Sequence, residues 1–433
     1  MSYGRAVVVG SGFAGLVSAR VLSDHFHSVV MLDRDRIPAK PEIRAGVPQA
    51  NHQHHLLPGG LDVLCRLFPT LNTDLDRLGG NVAGPGDWFA YTPHGRTYRL
   101  SRFQPTPMAD SAPLRMQSRA LLEHVLRGHV ETTANVTWRY NEHVRHCVHH
   151  AGRVTGVVTD DGTIDAELVI DATGRVSRTL GWLSQMGYEP PQVSSVECDF
   201  AYSSVFFRPD NPDAFEETGF LISSAHTGEF VKRGGSLVKI EDGQWLVTLA
   251  GRLGDHPPTE LAALHRYIGT LHHPRMAELL EGAEPVAAPH QYLFPRSLNR
   301  HYEKLTRFPE GLLPIGDAIC HINPGYAQGM SSVCRQADVL AQLLQARRHE
   351  DAPLEGLWQT FFQGVYEQTR APWLFAAMND FSKEGTTGDF PHHEAQAMAA
   401  LKRFSGLADG GDLAAAELVD QIFDMQLPLS ALG

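Results

Sequence analysis

Two apolar runs close to the start of the chain, Ala6-Val7-Val8-Val9 and Val29-Val30-Met31-Leu32, are short and rich in β-branched residues. Such runs predict strands buried on both faces, as in a parallel sheet. The apolar-periodic segment between them predicts a helix. Strand and helix are joined by Gly10-Ser11-Gly12-Phe13-Ala14-Gly15, a G-x-G-x-x-G turn, and the second run ends at Asp33-Arg34. The order strand, glycine turn, helix, strand, acid predicts a dinucleotide-binding βαβ unit. Gly10 permits the tight turn, Gly12 lets backbone approach a pyrophosphate, and Gly15 lets the helix pack on the strand. Phosphates would then meet the free N–H groups of the helix N-terminus. Asp33 stands where a carboxylate accepts ribose hydroxyls.

The pattern along the rest of the chain is mixed. Gly and Pro punctuate a loop over residues 36–60, followed by a helix from Gly59 to Phe68 with Leu61, Leu64, Cys65 and Phe68 on one face. Trp88, Phe89, Tyr91 and Tyr98 alternate with polar residues around Pro93-His94-Gly95, a hairpin pattern suited to covering a substrate. Ser118 is placed to cap a helix carrying Leu121, Leu122, Val125 and Leu126. Arg119 falls in its first turn, where a cation is unfavourable for the macrodipole, so it either serves a ligand or is an ordinary surface arginine. Strand patterns over residues 136–140, 154–158 and 166–170 predict hairpins returning to the parallel sheet, ending in Asp171-Ala172-Thr173-Gly174. Residues 188–296 alternate as an antiparallel sheet with one helix over residues 261–280. Its aromatic strand faces are candidate walls of a pocket or an ordinary sheet core. Leu312-Leu313-Pro314-Ile315 then ends at Gly316-Asp317, where α/β sheets bind ligands. Met330, Val333, Ala337, Leu340 and Leu344 mark the inward stripe of a long helix opened by Gly329 and Met330. Leu357, Trp358, Phe361, Phe362 and Val365 predict C-terminal helices packed over the rest.

Composition narrows the function classes. The 433 residues suffice for a large core and an enclosed site. A formal net charge of −12, with no Lys/Arg-rich run, disfavours nucleic acid and anionic membranes as partners. No apolar run reaches the ~18 residues of a membrane span, and the chain enters its first strand too early for a secretory signal, so a cytoplasmic protein without stable membrane insertion is expected. Cys65, Cys147, Cys198, Cys320 and Cys334 have no paired spacing, and no disulfide is expected. His52, His54 and His55 lack H-E-x-x-H geometry and acidic or thiolate partners; they read as a ligand-lining loop. Alternation splits His143, His146, Cys147, His149 and His150 between two strand faces. No metal site is expected.

Taken together, Gly10-x-Gly12-x-x-Gly15 with Asp33-Arg34, Asp171-Ala172-Thr173-Gly174, and Gly316-Asp317 followed by Asn323-Pro324 and Gln328-Gly329-Met330 resemble the three FAD fingerprints of the flavoprotein monooxygenases related to aromatic hydroxylases. Arg44 to Gln49 with His52 and His54, Arg300-His301-Tyr302-Glu303 and Ala371-Pro372-Trp373 resemble bacterial natural-product epoxidases acting on polyether and related polyketide precursors. The resemblance covers most of the chain.

The resemblance implies an α/β fold: a Rossmann-like FAD-binding domain of the glutathione-reductase type, an inserted antiparallel substrate domain and C-terminal helices. The corresponding spans are residues 1–187 and 299–350 for FAD, 188–298 for the inserted sheet and 351–433 for the helices, with residues 60–110 contributing to the substrate side. Gly10, Gly12, Gly15 and Asp33 would hold the adenosine diphosphate part, Arg119 the pyrophosphate or ribityl region and Asp317 the ribityl chain, with Arg34, Gly174 and Gly316 also binding the cofactor. Gly329 and Met330 would face the pyrimidine edge. Arg44 would lie by the isoalloxazine ring, with His52, His54, His290 and Tyr292 as candidates for shaping catalysis. The implied activity is insertion of one oxygen atom from O2, by epoxidation or hydroxylation through a flavin C4a-hydroperoxide, into an apolar polyketide, terpenoid or aromatic substrate of secondary metabolism such as antibiotic biosynthesis. Aromatic hydroxylases usually carry Asp-Gly where this chain has Asp171-Ala172-Thr173-Gly174, which casts doubt on built-in NAD(P)H binding. No second G-x-G-x-x-G follows a strand, so electrons come from transiently docked NAD(P)H or a partner flavin reductase. Halogenases share this framework but typically carry Trp-x-Trp-x-Ile-Pro, which this sequence lacks. A dehydrogenase, oxidase or non-oxygenating FAD protein is the alternative.

Overall fold

A computed structural model describes residues 3–82, 88–91, 97–99, 115–215, 218–222, 232–409 and 411–433. The early apolar runs form adjacent strands of a five-stranded parallel sheet, ordered Leu312–Pro314, Leu168–Asp171, Tyr3–Val9, Phe26–Asp33 and Val136–Tyr140. Val7, Val8, Val29, Met31, Val169 and Ile170 are fully buried, as a parallel sheet with both faces covered requires. The helices Phe13–Ser23, Arg119–Glu131 and Gly329–Arg347 share this core. Between Val136–Tyr140 and Leu168–Asp171, three antiparallel strands, Val144–His150, Arg153–Thr159 and Gly162–Asp165, return the chain as expected. Two register shifts break the alternation of the histidine-rich strand; Val144 and Cys147 point inward while His146 and His150 are exposed.

Among the described residues the second sheet has ten strands. Its spine is the 16-residue strand Val193–Arg208, flanked by Trp245–Arg252 and His290–Arg300. The 88–99 hairpin lies at its edge, where Trp88–Tyr91 pairs parallel with Gly219–Ile222; the Pro93-His94-Gly95 tip lies outside the described residues. Alternation gives the sheet two distinct faces. Val205, Phe207, Trp245, Val247 and Leu249 pack with Leu264, Tyr267, Ile268 and Met276 of the covering helices. Phe200, Tyr202, Phe294 and Tyr292 occupy the opposite face. The single helix expected over residues 261–280 is instead two, Leu261–Ile268 and Arg275–Leu279, because Gly269 caps the first and Pro274 can only begin the second.

The C-terminal segment contributes helices Leu357–Phe381, Ala395–Asp409 and Leu413–Phe423. Leu357, Trp358, Phe361, Phe362 and Val365 enter the main core, with Phe362 stacked 4.9 Å from Tyr302. Beyond Pro372, inside the same helix, Leu374 packs instead with Met398, Leu401 and Ile422. Among the described residues no helix is long and apolar enough to cross a membrane, and all five cysteines are free.

Phe361 is fully buried where this segment meets the main core. Phe361→Ala is expected to lower unfolding free energy by about 3–5 kcal/mol. Chemical denaturation checks this; a change below about 1 kcal/mol would show that the C-terminal helices are not part of the cooperative fold.

Candidate functional site

One chamber, with a volume of about 1270 Å³, runs from the carboxyl ends of the parallel strands to the aromatic face of the antiparallel sheet. At its first end lies the glycine turn. Gly10 is left-handed at φ 98°, and a Cβ there would lie 2.8 Å from the Ala172 carbonyl oxygen. A Cβ on Gly15 would strike the Gly10 carbonyl oxygen at 1.9 Å, so Gly15 does what the helix–strand contact demands; it does not line the chamber. Gly12 differs: the nearest group to its Cβ would be Arg44 Nη2 at 3.9 Å. Helix Phe13–Ser23 starts without a side-chain cap, and Gly12, Phe13 and Ala14 line the chamber with its unpaired N–H groups.

Asp33 lines the chamber but is 7% exposed and heavily engaged. It accepts from Ser11 N (2.8 Å), Ser11 Oγ, Asp35 N (2.8 Å) and Arg44 Nη1 (3.1 Å). Burial pushes its carboxyl up, but the Arg44 guanidinium and these hydrogen bonds win and hold it below the usual carboxylate range. Arg44 also pairs with Asp35 at 3.2 Å, and its Nε lies 3.8 Å from Glu123. Glu123 in turn faces Arg119 at 2.8 Å and Arg127 at 4.0 Å. Arg119 is therefore buried, not a surface residue, and its unfavourable place in the first helical turn is offset by Glu123 one turn on. Ser118 caps that helix, accepting from Leu121 N at 3.1 Å. Arg34 is exposed at the chamber wall. Arg44 is thus tied to Asp33, Asp35 and Glu123 at the glycine-turn end of the chamber.

At the chamber's middle, Asp171 is fully buried and accepts from Thr173 N and Oγ1, Ser177 Oγ, and Thr179 N and Oγ1, all within 3.0 Å. This carboxylate folds the Thr173-Gly174-Arg175 turn so that Gly174 and Arg175 line the chamber. Asp317, with a side chain 41% exposed, lines it too. Gly316 does not. It is buried at φ 70°, donates to Gln336 Oε1 at 2.8 Å, and makes the turn after the strand. Gly329 and Met330 open a 19-residue helix with no side-chain cap, facing the chamber. Just before it, Ala327 is held left-handed at φ 57°, a conformation costly for a residue with a Cβ.

The far wall comprises Phe200, Tyr202, Tyr292 and Phe294, closed by Phe375 and Phe423 of the C-terminal helices. Tyr202 and Tyr292 stack with centroids 5.4 Å apart, and Arg175 lies 5.6 Å over the Tyr292 ring. His52 is 2% exposed and outside the chamber lining. Its Nδ1 is 2.8 Å from Ser204 Oγ, which bonds Thr248 Oγ1 at 2.7 Å, and its ring meets Tyr202 edge-on. His52 is thus a buried, hydrogen-bonded histidine that fastens the 44–57 loop to the sheet. His290 is exposed and away from the chamber. His54 does line it. Its Nδ1 lies 2.9 Å from the His52 carbonyl oxygen and so donates, leaving Nε2 as an acceptor. Burial and the nearby Arg119 charge push His54 down to about 3, so the ring is neutral near pH 7.

Sequence reasoning missed Arg252, Asn379 and Lys383, which also line the far end. Arg252 closes an otherwise apolar strand, a signal that was present; Asn379 lies on a helix whose inward face could not be separated from its core stripe, and Lys383 follows just beyond that helix's end.

No family model matches the chain. Protein Rv3254 of Mycobacterium tuberculosis is 30% identical over 438 residues, spanning 93% of this chain and 86% of the relative. The chain belongs to the family of protein Rv3254. Among solved structures, the flavin-dependent brominase Bmp2 matches with a TM-score of 0.65 at 14% identity, over 97% of this chain and 93% of that one. PqsL, a probable FAD-dependent monooxygenase from Pseudomonas aeruginosa, matches with a TM-score of 0.60 at 15% identity, over 87% of this chain and 97% of that one. The fold is therefore that of the FAD-dependent monooxygenases and flavin-dependent halogenases, as the three fingerprints imply.

His52 yields a stability prediction. Burial and the His290 charge push it down to about 3, whereas the unfolded chain titrates near 6.5. The unfolded state alone gains the proton between these values, so stability is full above about pH 6.5 and falls by about 1.4 kcal/mol per pH unit as pH drops towards 3. Denaturation at about pH 7.5 and about pH 5.5 should show His52→Gln with a flatter slope than the wild type; identical slopes would contradict the buried neutral state.

Proposed function

We propose that this protein is an FAD-dependent monooxygenase that inserts one oxygen atom from O2, by epoxidation or hydroxylation, into a small natural-product-type substrate. The observation that carries the reading is the single chamber: it joins an open glycine cradle and two uncapped helix starts to a largely aromatic wall. FAD fits these residues. Gly12, Gly174 and Gly329 have room where a Cβ would point, and the volume exceeds the roughly 300–1,000 Å³ of ordinary small-molecule sites. We further assign the FAD-binding parts to residues 1–187 and 299–350, in the glutathione-reductase manner, with 188–298 and 351–433 enclosing the substrate.

Bound and reduced, FAD supplies the activation of O2. The chain's own residues do the rest. Gly10, Gly12 and the start of helix Phe13–Ser23 bind the pyrophosphate, and Asp33 holds the ribose from a carboxylate fixed by Ser11 and Arg44. Asp317 takes the ribityl hydroxyls. The start of helix Gly329–Arg347 stabilises negative charge at the pyrimidine edge, by roughly 0.3–1 kcal/mol or more where water is excluded. Phe200, Tyr202, Tyr292, Phe294, Phe375 and Phe423 exclude water from the substrate. His54 Nε2, neutral and accepting, takes a hydrogen bond from a substrate hydroxyl and orients it; an alkene needs no such group. Electrons come from docked NAD(P)H or a partner reductase. The missing Trp-x-Trp-x-Ile-Pro segment argues for oxygenation over halogenation.

Two measurements test this. Gly12→Val is expected to fold like the wild type, since Gly12 has ordinary extended backbone and open space, yet to purify without FAD; a fully loaded yellow variant would reject the cradle. Rapid mixing of the reduced, FAD-loaded protein with oxygenated buffer should show a transient absorbance before oxidised FAD returns. Reduction without O2 consumption would favour the dehydrogenase alternative.

A further inference from the structure

Arg300-His301-Tyr302-Glu303 stands outside the chamber lining, yet it begins where strand His290–Arg300 ends against the Gly316-Asp317 turn, whose Asp317 does line it. Arg300 is 7% exposed, and among the described residues no carboxylate lies within ion-pair distance of it. Its Nη1 donates instead to two successive backbone oxygens, of Asp317 at 3.1 Å and of Ala318 at 3.3 Å. Its own backbone N–H donates to the Ile319 oxygen at 3.0 Å. A buried cation is costly unless its donors are used, and here charge-assisted bonds gather the whole turn.

The turn is gripped from the other side as well. Gly316, left-handed at φ 70°, donates to Gln336 Oε1 at 2.8 Å, and Gln336, fully buried on helix Gly329–Arg347, donates to Ser332 Oγ at 3.1 Å. The carbonyls of Asp317 and Ala318 are drawn to Arg300, outside the chamber, which leaves the Asp317 side chain, 41% exposed, on the chamber side.

The residues after Arg300 fix its own backbone. His301 N donates to the Gln192 oxygen at 2.8 Å, and the two ring nitrogens of His301 lie 2.8 Å from Ser194 Oγ and from Glu303 Oε1. Tyr302 stacks on Phe362, and Gln363 Nε2 donates to the Glu303 oxygen at 2.9 Å. Arg300 is therefore fastened to the antiparallel sheet and to helix Leu357–Phe381, so the turn takes its place from the arginine.

We propose that Arg300 is a positioning residue of the cofactor site: it sets the turn that aims the Asp317 carboxylate at the ribityl hydroxyls of FAD, from outside the chamber and without touching the cofactor. The proposal rests on the assignment of Asp317 to the ribityl chain.

The test is a double-mutant cycle on FAD affinity, read by flavin fluorescence in the full-length protein freed of bound FAD. Arg300→Met should bind FAD about tenfold more weakly than the wild type. Because Arg300 acts through Asp317, the double variant Arg300→Met/Asp317→Ala should bind within about twofold of Asp317→Ala alone, whereas a general loosening of the fold would multiply the two losses. Arg300→Lys keeps the charge and a donor and should recover part of the affinity; should the Met variant not fold, the same cycle is run with Lys. Wild-type affinity in the Arg300 variants, multiplying losses in the double variant, or wild-type affinity in Asp317→Ala would overturn the positioning role while leaving the flavin reading in place. A wild type that takes up no FAD would refute the flavin reading and this role with it.

Discussion

A buried network of opposite charges holds the glycine-turn end of the chamber. Asp33, Asp35 and Glu123 face Arg44, Arg119 and Arg127 across 2.8–4.0 Å, drawing on the second strand, the loop after it and the helix capped by Ser118. Removing one member of such a network costs about 3–5 kcal/mol, because its partner is left charged and dry. Arg44 is the member shared by all three elements. It holds Asp33 against Ser11 of the glycine turn and anchors the 44–57 loop, whose later residues carry His54 into the chamber. The geometry at one end thereby constrains the other.

The antiparallel sheet completes the arrangement through its two-residue period. One face of Val193–Arg208 and Trp245–Arg252 is sealed by helices, which leaves the alternate residues Phe200, Tyr202, Thr248, Ala250 and Arg252 as chamber wall. The C-terminal helices close that wall. Leu357–Phe381 does two jobs: its first half is core, and past Pro372 it turns Phe375 and Asn379 to the chamber, with Lys383 following just beyond its end.

Local patterns made the parallel sheet legible, because buried parallel strands appear as apolar runs and the glycine turn has a fixed spacing to its acid. Gly10, Gly12, Asp33, Asp317 and the Gly329 helix start were all named by that logic, and each lines the chamber. What sequence could not distinguish was contact from support. Gly15, Gly316 and His52 sit in motifs that border the chamber, yet each serves packing or a turn one layer behind it. The place of Arg44 depends on the fold in the same way: its loop borders the chamber, and the carboxylates of Asp33, Asp35 and Glu123 select which end it occupies. The pairing of Arg252 with Asp380 was invisible because 128 positions of chain separate the partners and their meeting depends on how the sheet packs against the helix Leu357–Phe381.

The central claim is that a single chamber holds FAD along one side and substrate on the other. A crystal structure of the protein grown with FAD tests it most directly. The account predicts density for the adenosine diphosphate part at Gly10, Gly12 and Asp33, and for the flavin ring between the Gly329 helix start and the Tyr202–Tyr292 wall. An FAD molecule bound at full occupancy outside the chamber, or an empty chamber in protein saturated with FAD, would contradict it.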